Sequence, residues 1–144
     1  MKFWDSSAVV PLLVPEATSR PLQRLYDADT AMFAWWATEL ECISALVRRE
    51  RLVHLGEAVV RQAFARLNAL RTAWHEVEPG EDVRETARRL LRVHDLRAAD
   101  SLQLAAASFV AEGRPSTLEF VSLDDRLLAA ARREGFAIAG PAAR

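Results

Sequence analysis

Residues 2–10 read KFWDSSAVV: a short apolar ramp, then Asp5, two serines and apolar residues again. An ionised carboxylate among apolar residues is costly unless a positive group meets it. If Lys2 to Trp4 is a buried strand, Asp5 stands at its carboxyl end. In an open parallel sheet that is the edge where ligands bind. What positive group meets Asp5 is the question the rest of the chain has to answer.

The 144 residues suit one domain, 1–144, able to bury roughly 70% of its unfolded surface. Hydrophobic residues are 51% and charged residues 27%, ordinary globular proportions, and no segment is of low complexity. A formal net charge of −1 leaves no global basic field, so any contact with nucleic acid must come from a local patch. Lys2 is the one lysine. The arginine bias favours phosphate recognition, and codon usage in a GC-rich genome produces the same bias. A single cysteine, Cys42, excludes an internal disulfide and a cysteine metal cluster and fits a reducing cytoplasm. No apolar run is long enough to span a bilayer. "SAVVPLLV" lacks the flanks and cleavage site of a signal peptide, so a soluble, cytoplasmic protein is expected.

Short apolar runs alternate with long amphipathic segments, which predicts an α/β fold: a central parallel sheet of about five strands flanked by helices on both faces. The candidate strands are Lys2 to Trp4, Ala31 to Ala34, Trp74 to Val77, Glu119 to Ser122 and Ala137 to Ala139. Ser19 is expected to cap a helix with Pro21 in its first turn. "TELECISALVRRERL", "GEAVVRQAFARLNALRTA" and "GEDVRETARRLLRVH" each carry an apolar stripe at helical spacing. "RAADSLQLAAASFVAEG" is apolar almost all round, as suits a helix packed on several sides. The last, "DDRLLAAARREG", starts with acids and ends with arginines, in agreement with the helix dipole.

Four acids fall at or near the carboxyl edge of such a sheet: Asp5, Glu41, Asp100 and Asp124. Each has a structural alternative. Asp5 can open a turn with Ser6 and Ser7, Glu41 suits a first helical turn, and Asp124 or Asp125 can be an N-cap. Asp100 is the hardest to dismiss, because Leu104, Ala107 and Ala111 share its helix face and place it where burial is expected. Four such acids on one edge would repel one another unless a cation sat among them. An all-oxygen donor set points to Mg2+ or Mn2+ rather than zinc. That cation is the expected partner of Asp5. His54, His75 and His94 read as surface residues. Trp36 is expected to be partly exposed.

The segments "FWDSSAVVPLL", "ELECISALVRR", "LRAADSLQLAAA" and "FVSLDDRLLAAARREGF" resemble, in order and spacing, the four motif regions of PIN-domain ribonucleases, most closely the VapC-type toxins of toxin-antitoxin pairs. The resemblance covers nearly the whole chain and implies a three-layer PIN-like fold. It places Asp5, Glu41, Asp100 and Asp124 in the acidic metal-site positions, as catalytic residues and ligands. Ser6 matches the small hydroxyl position after the first acid, and Ser122 the Ser/Thr two residues before the last. Gln103 stands where some relatives have His. The implied activity is Mg2+- or Mn2+-assisted hydrolysis of RNA phosphodiester bonds at an exposed single-stranded region. Ser6, Ser122 and, less directly, Arg97 would contact water or phosphate. The resemblance also implies a cognate VapB-type antitoxin as partner and a homodimer.

Two other acid-edged folds fit worse. A receiver domain needs a lysine on a late strand, whereas Lys2 is on the first. An aspartyl-nucleophile phosphatase wants Asp where Ser7 stands. The alternatives that stay open are a noncatalytic PIN-like module binding RNA or protein, and a housekeeping PIN nuclease that is not a toxin.

Overall fold

In the computed structural model, which describes residues 1–143, the chain alternates strands and helices. The first half runs β1 (Lys2–Trp4), α1 (Ser6–Leu13), α2 (Ser19–Ala28), β2 (Met32–Trp35), α3 (Thr38–Val53) and α4 (Glu57–Ala73). The second half runs β3 (His75–Val77), α5 (Glu81–Val93), α6 (Ala98–Val110), β4 (Glu119–Val121), α7 (Asp125–Arg133) and β5 (Ala137–Ala139). The strands pair in the order β3-β2-β1-β4-β5, every pair parallel. Strand order therefore reverses direction beside β1, the place where an open sheet leaves a crevice at its carboxyl edge.

Side chains alternate across the sheet with period two. Phe3, Trp35, Phe120 and Val77 face one core with α5, α6 and α7. Trp4, Met32, Ala34 and Val121 face the other with α1 to α4. These are the three layers expected, and both sheet faces are covered, which is why the strands read as short apolar runs rather than as clean alternations. Among the described residues, no helix is long and apolar enough to cross a membrane.

The strands lie where the apolar runs placed them, within a residue or so at their ends. The sequence did not disclose α1. A proline inside a helix removes a hydrogen bond and clashes with the preceding turn, and Pro11 lies inside this one. The helix forms because Asp5 caps it, accepting from the Ser7 N–H at 3.3 Å, and because Ala8 to Leu13 are all buried. Ser19 is not a cap. It is the first residue of α2, and its hydroxyl accepts from the Glu16 N–H and donates to the Val14 carbonyl. His94 is not on the surface either. It is buried at the end of α5, with Nε2 2.6 Å from Glu134 Oε1.

Candidate active site

Four crossovers deliver the four acids. Asp5 follows β1 directly, Asp124 follows β4 by three residues, Glu41 sits in the first turn of α3 after β2, and Asp100 sits in the first turn of α6. The register of β1 against β4 sets Trp4 beside Val121, so the loops after these two strands start level. The Asp5 N–H then bonds the Val121 carbonyl at 2.9 Å.

Asp5 is buried, 4% exposed. Its Oδ2 accepts from Ser7 Oγ at 2.5 Å and from Ser122 Oγ at 2.9 Å. Ser7 Oγ lies 3.2 Å from Ser122 Oγ and accepts from the Leu123 N–H, and Ser122 Oγ accepts from the Asp124 N–H. One hydroxyl pair thus ties the loop after β1 to the loop after β4. Glu41 is held similarly, its Oε2 accepting from Ser6 Oγ at 2.7 Å and Gln103 Nε2 at 3.1 Å. Gln103 also donates to Thr38 Oγ1, while its own Oε1 is buried and meets no partner among the described residues. Asp100 Oδ2 accepts from the Arg97 N–H at 3.3 Å. Asp124 Oδ1 caps α7 through the Leu127 N–H at 2.8 Å.

A common pattern runs through these contacts. Each carboxylate spends one oxygen on the scaffold, and among the described residues the other oxygen accepts no protein hydrogen bond. The acids also repel one another in a chain. Burial pushes Asp5 up to about 6 against the pull of the two serine bonds, with Glu41 adding repulsion. Burial raises Glu41 too, with Asp100 adding to it, and raises Asp100, with Asp124 adding to it. The group is cation-deficient: its hydrogen-bond partners are hydroxyls, amides and peptide N–H groups.

The acids are neighbours in pairs, Asp5 with Glu41, Glu41 with Asp100 and Asp100 with Asp124, and Ser6 bonds Glu41 while Ser122 bonds Asp5. Arg97 meets Asp100 through its backbone. Among the described residues no three His, Cys, Asp or Glu side chains stand close enough together to hold a metal ion. Ser6 and Gln103 both bond the Glu41 carboxylate. Two positioning residues escaped the sequence reading. Ser7 was hidden in a serine doublet that reads as a turn, and Gln103 registered only as a departure from a histidine. Cys42 is buried beside this group, and burial pushes its thiol far up; it packs and does not react.

Neither a protein-family model nor a curated protein matches the sequence. Solved structures do match the fold. FitAcB from Neisseria gonorrhoeae superposes with a TM-score of 0.70 at 16% identity, over 98% of each chain. VapC20 from Mycobacterium tuberculosis, a sarcin-ricin loop cleaving toxin, gives 0.67 at 20% identity, over 98% of this chain and all of the other. The chain has the PIN-like fold. A toxin-antitoxin complex from Klebsiella pneumoniae shares that PIN-like fold at 0.65 and 16% identity, over 90% of this chain and 91% of the other.

Proposed function

We propose that this chain is a Mg2+- or Mn2+-dependent endoribonuclease of the VapC kind, hydrolysing phosphodiester bonds of RNA and held inactive by a cognate VapB-type antitoxin. The observation that carries the reading is the group of four carboxylates at the carboxyl edge, each anchored by one oxygen and none compensated by a cation's hydrogen bond. The donor set fits a hard divalent ion, which takes carboxylate oxygens and retains water. Asp5, Glu41, Asp100 and Asp124 would hold it. When bound, such an ion supplies Lewis acidity and neutralises charge on a phosphodiester.

The chain's own residues supply the rest. Ser7 and Ser122 fix the Asp5 carboxylate, and Ser6 and Gln103 fix that of Glu41. The pre-set geometry spares the site reorganisation when substrate arrives. Glu41 and Asp124 each keep an oxygen able to take a proton from an attacking water. An accessible single-stranded loop suits an open edge of this kind, since its backbone and unstacked bases are exposed. Trp36 and Leu40, 46% and 56% exposed at the start of the β2 to α3 crossover, give that edge an apolar flank for RNA or antitoxin. Leu52 and Val53, exposed at the far end of α3, are a candidate homodimer surface.

The noncatalytic module is the second reading, favoured by the missing ligand shell. Calorimetry with Mn2+ on the wild type and Asp100→Asn, followed by RNA cleavage with metal and with chelator, separates the two. Metal binding lost in the variant, with metal-dependent cleavage, supports the nuclease. Folded protein that neither binds metal nor cuts a broad RNA panel overturns it. Growth arrest on expression of the chain without its partner, absent for Asp100→Asn, supports a toxin over a housekeeping nuclease.

A further inference from the structure

A cavity of about 460 Å3 opens between β2, the edge strand β3 and the C-terminal end of α6, a size within the range of ligand pockets. Its floor is apolar, built by Phe33, Val77 and Phe109, and Phe109 is 54% exposed. Asp100 stands in the first turn of α6 and Phe109 in its last, roughly 14 Å apart along the axis. The cavity therefore lies at the other end of that helix from the acid group.

Three carboxylates rim the floor: Glu76, Glu78 and Glu112. Among the described residues none of them enters an ion pair, and neither arginine nor lysine lines the cavity. Their one side-chain hydrogen bond among the described residues runs from Trp74 Nε1 to Glu76 Oε1, at 3.3 Å. Met1 also borders the cavity, but its ammonium is bonded to Asp29. Glu112 breaks two local preferences. The carbonyl end of a helix favours a cation, yet α6 has no basic residue in its last turn and an acid follows it. Glu112 also holds the left-handed conformation, at φ 50°, which glycine and asparagine adopt far more readily. Departures of this kind gather where a surface has a use.

The helix end, the acids and the apolar floor call for an occupant that is apolar at its centre and cationic at its flanks. A polyanion such as RNA is repelled. The strand itself adds a pattern. β3 pairs with β2 alone, and Glu76-Val77-Glu78 reads acid, apolar, acid along it. A strand laid beside it sets its side chains opposite these one for one, so the complement reads basic, apolar, basic. The same acids turn acidic strands away from that edge.

We propose that this cavity docks an extended segment of a partner protein in which arginine or lysine alternates with a large apolar residue. The apolar side chain enters between Phe33 and Phe109, and the cations meet Glu76, Glu78 and Glu112. This surface is separate from the acid group, and the proposal is independent of the nuclease reading.

The test uses fluorescein-labelled peptides Arg-Leu-Arg-Leu-Arg, Arg-Ser-Arg-Ser-Arg and Glu-Leu-Glu-Leu-Glu, followed by anisotropy with the full chain. The proteins are the wild type, Phe109→Ser, Glu76→Gln/Glu78→Gln, Glu112→Gln and Asp100→Asn, each checked for native circular dichroism. The wild type is expected to bind Arg-Leu-Arg-Leu-Arg saturably, and the other two peptides at least roughly tenfold more weakly. Phe109→Ser should weaken binding roughly tenfold and leave its salt dependence unchanged. Glu76→Gln/Glu78→Gln should weaken it as much and flatten the salt dependence, Glu112→Gln should do so to a lesser degree, and Asp100→Asn should have no effect. A wild type that does not bind Arg-Leu-Arg-Leu-Arg overturns the proposal. So does binding that Asp100→Asn abolishes and the cavity variants keep, which would seat the peptide on the acid group. Sedimentation velocity tests the other occupant: a wild-type dimer that Phe109→Ser dissociates would make the cavity a contact between copies of this chain and overturn the partner segment. None of these readouts involves RNA cleavage, so failure here leaves the nuclease reading standing.

Discussion

The molecule treats carboxylates in two opposite ways. Away from the carboxyl edge, Glu134 and Asp29 come with their cations. Glu134 is gripped by Arg89 through two bonds of 3.2 and 2.8 Å and also meets His94, and these contacts hold it below the usual carboxylate range. Asp29 meets the N-terminal ammonium and Lys2, and the ammonium bond first of all lowers it to about 2. At the carboxyl edge Asp5, Glu41 and Asp100 have no such bond, and burial and mutual repulsion raise all three. The residue types are the same and the fold is the same. The difference is whether the counter-charge is built into the chain, and the edge that lacks it is the place proposed for a cation.

The largest expected effect breaks the edge itself. Asp100→Asn should lower metal-dependent RNA cleavage about a thousandfold, the several kcal/mol that metal chemistry contributes, measured as single-turnover rate; retained activity would deny Asp100 its role. Next comes stability. The folded-state value of Asp5, about 6, lies above its ordinary 3.8. Between those values the folded chain keeps a proton that the unfolded chain has lost, so this group's stabilisation is full below pH 3.8 and declines as pH rises to about 6. Asp5→Asn should therefore stabilise the metal-free protein at pH 7, by about 3 kcal/mol, in urea titrations at pH 4 and 7, with little change at pH 4. An equal shift at both values would place the effect in packing. Asp29 has the reverse sign: its contribution is present above pH 3.8 and lost as pH falls through about 2.

A smaller effect sharpens the contrast. Ser7→Ala removes a helix-capping neighbour and three hydroxyl contacts and should destabilise by about 2 kcal/mol, while also weakening Mn2+ binding, since Asp5 loses its tether. Smallest is Glu134→Gln, expected to cost about 1 kcal/mol in the same urea titration and to leave Mn2+ affinity as it was. A drop in metal affinity there would erase the distinction between the two kinds of carboxylate.

What the sequence made legible follows from the same physics. Strand positions, helices on both faces and the parallel sense of the sheet were readable because apolar runs such as FVS and amphipathic segments such as GEDVRETARRLLRVH differ in period, whereas the strand order came only from the structure. The acids stood out as candidates because Asp100 lies on an apolar helix face and Asp5 ends an apolar ramp. The anchors were less readable. Ser7 and Ser122 meet across 115 positions, and no local pattern marks that contact. No helix was read at α1, which forms because burial of Ala8 to Leu13 outweighs the cost of the internal Pro11. His94 has the composition of a surface residue, and only the fold puts Glu134 beside it.

The seam between β1 and β4 has a consequence for how this molecule comes into being. The first strand is made early, but its neighbour on one side is the 119–121 strand, so the Asp5 carboxylate has no Ser122 and no Asp124 near it until most of the chain has been synthesised. Contacts of such sequence separation form late and slowly. A nascent or truncated chain that stops before β4 therefore has its helices without its reactive edge, and the chemistry proposed for that edge switches on with the closing of the sheet.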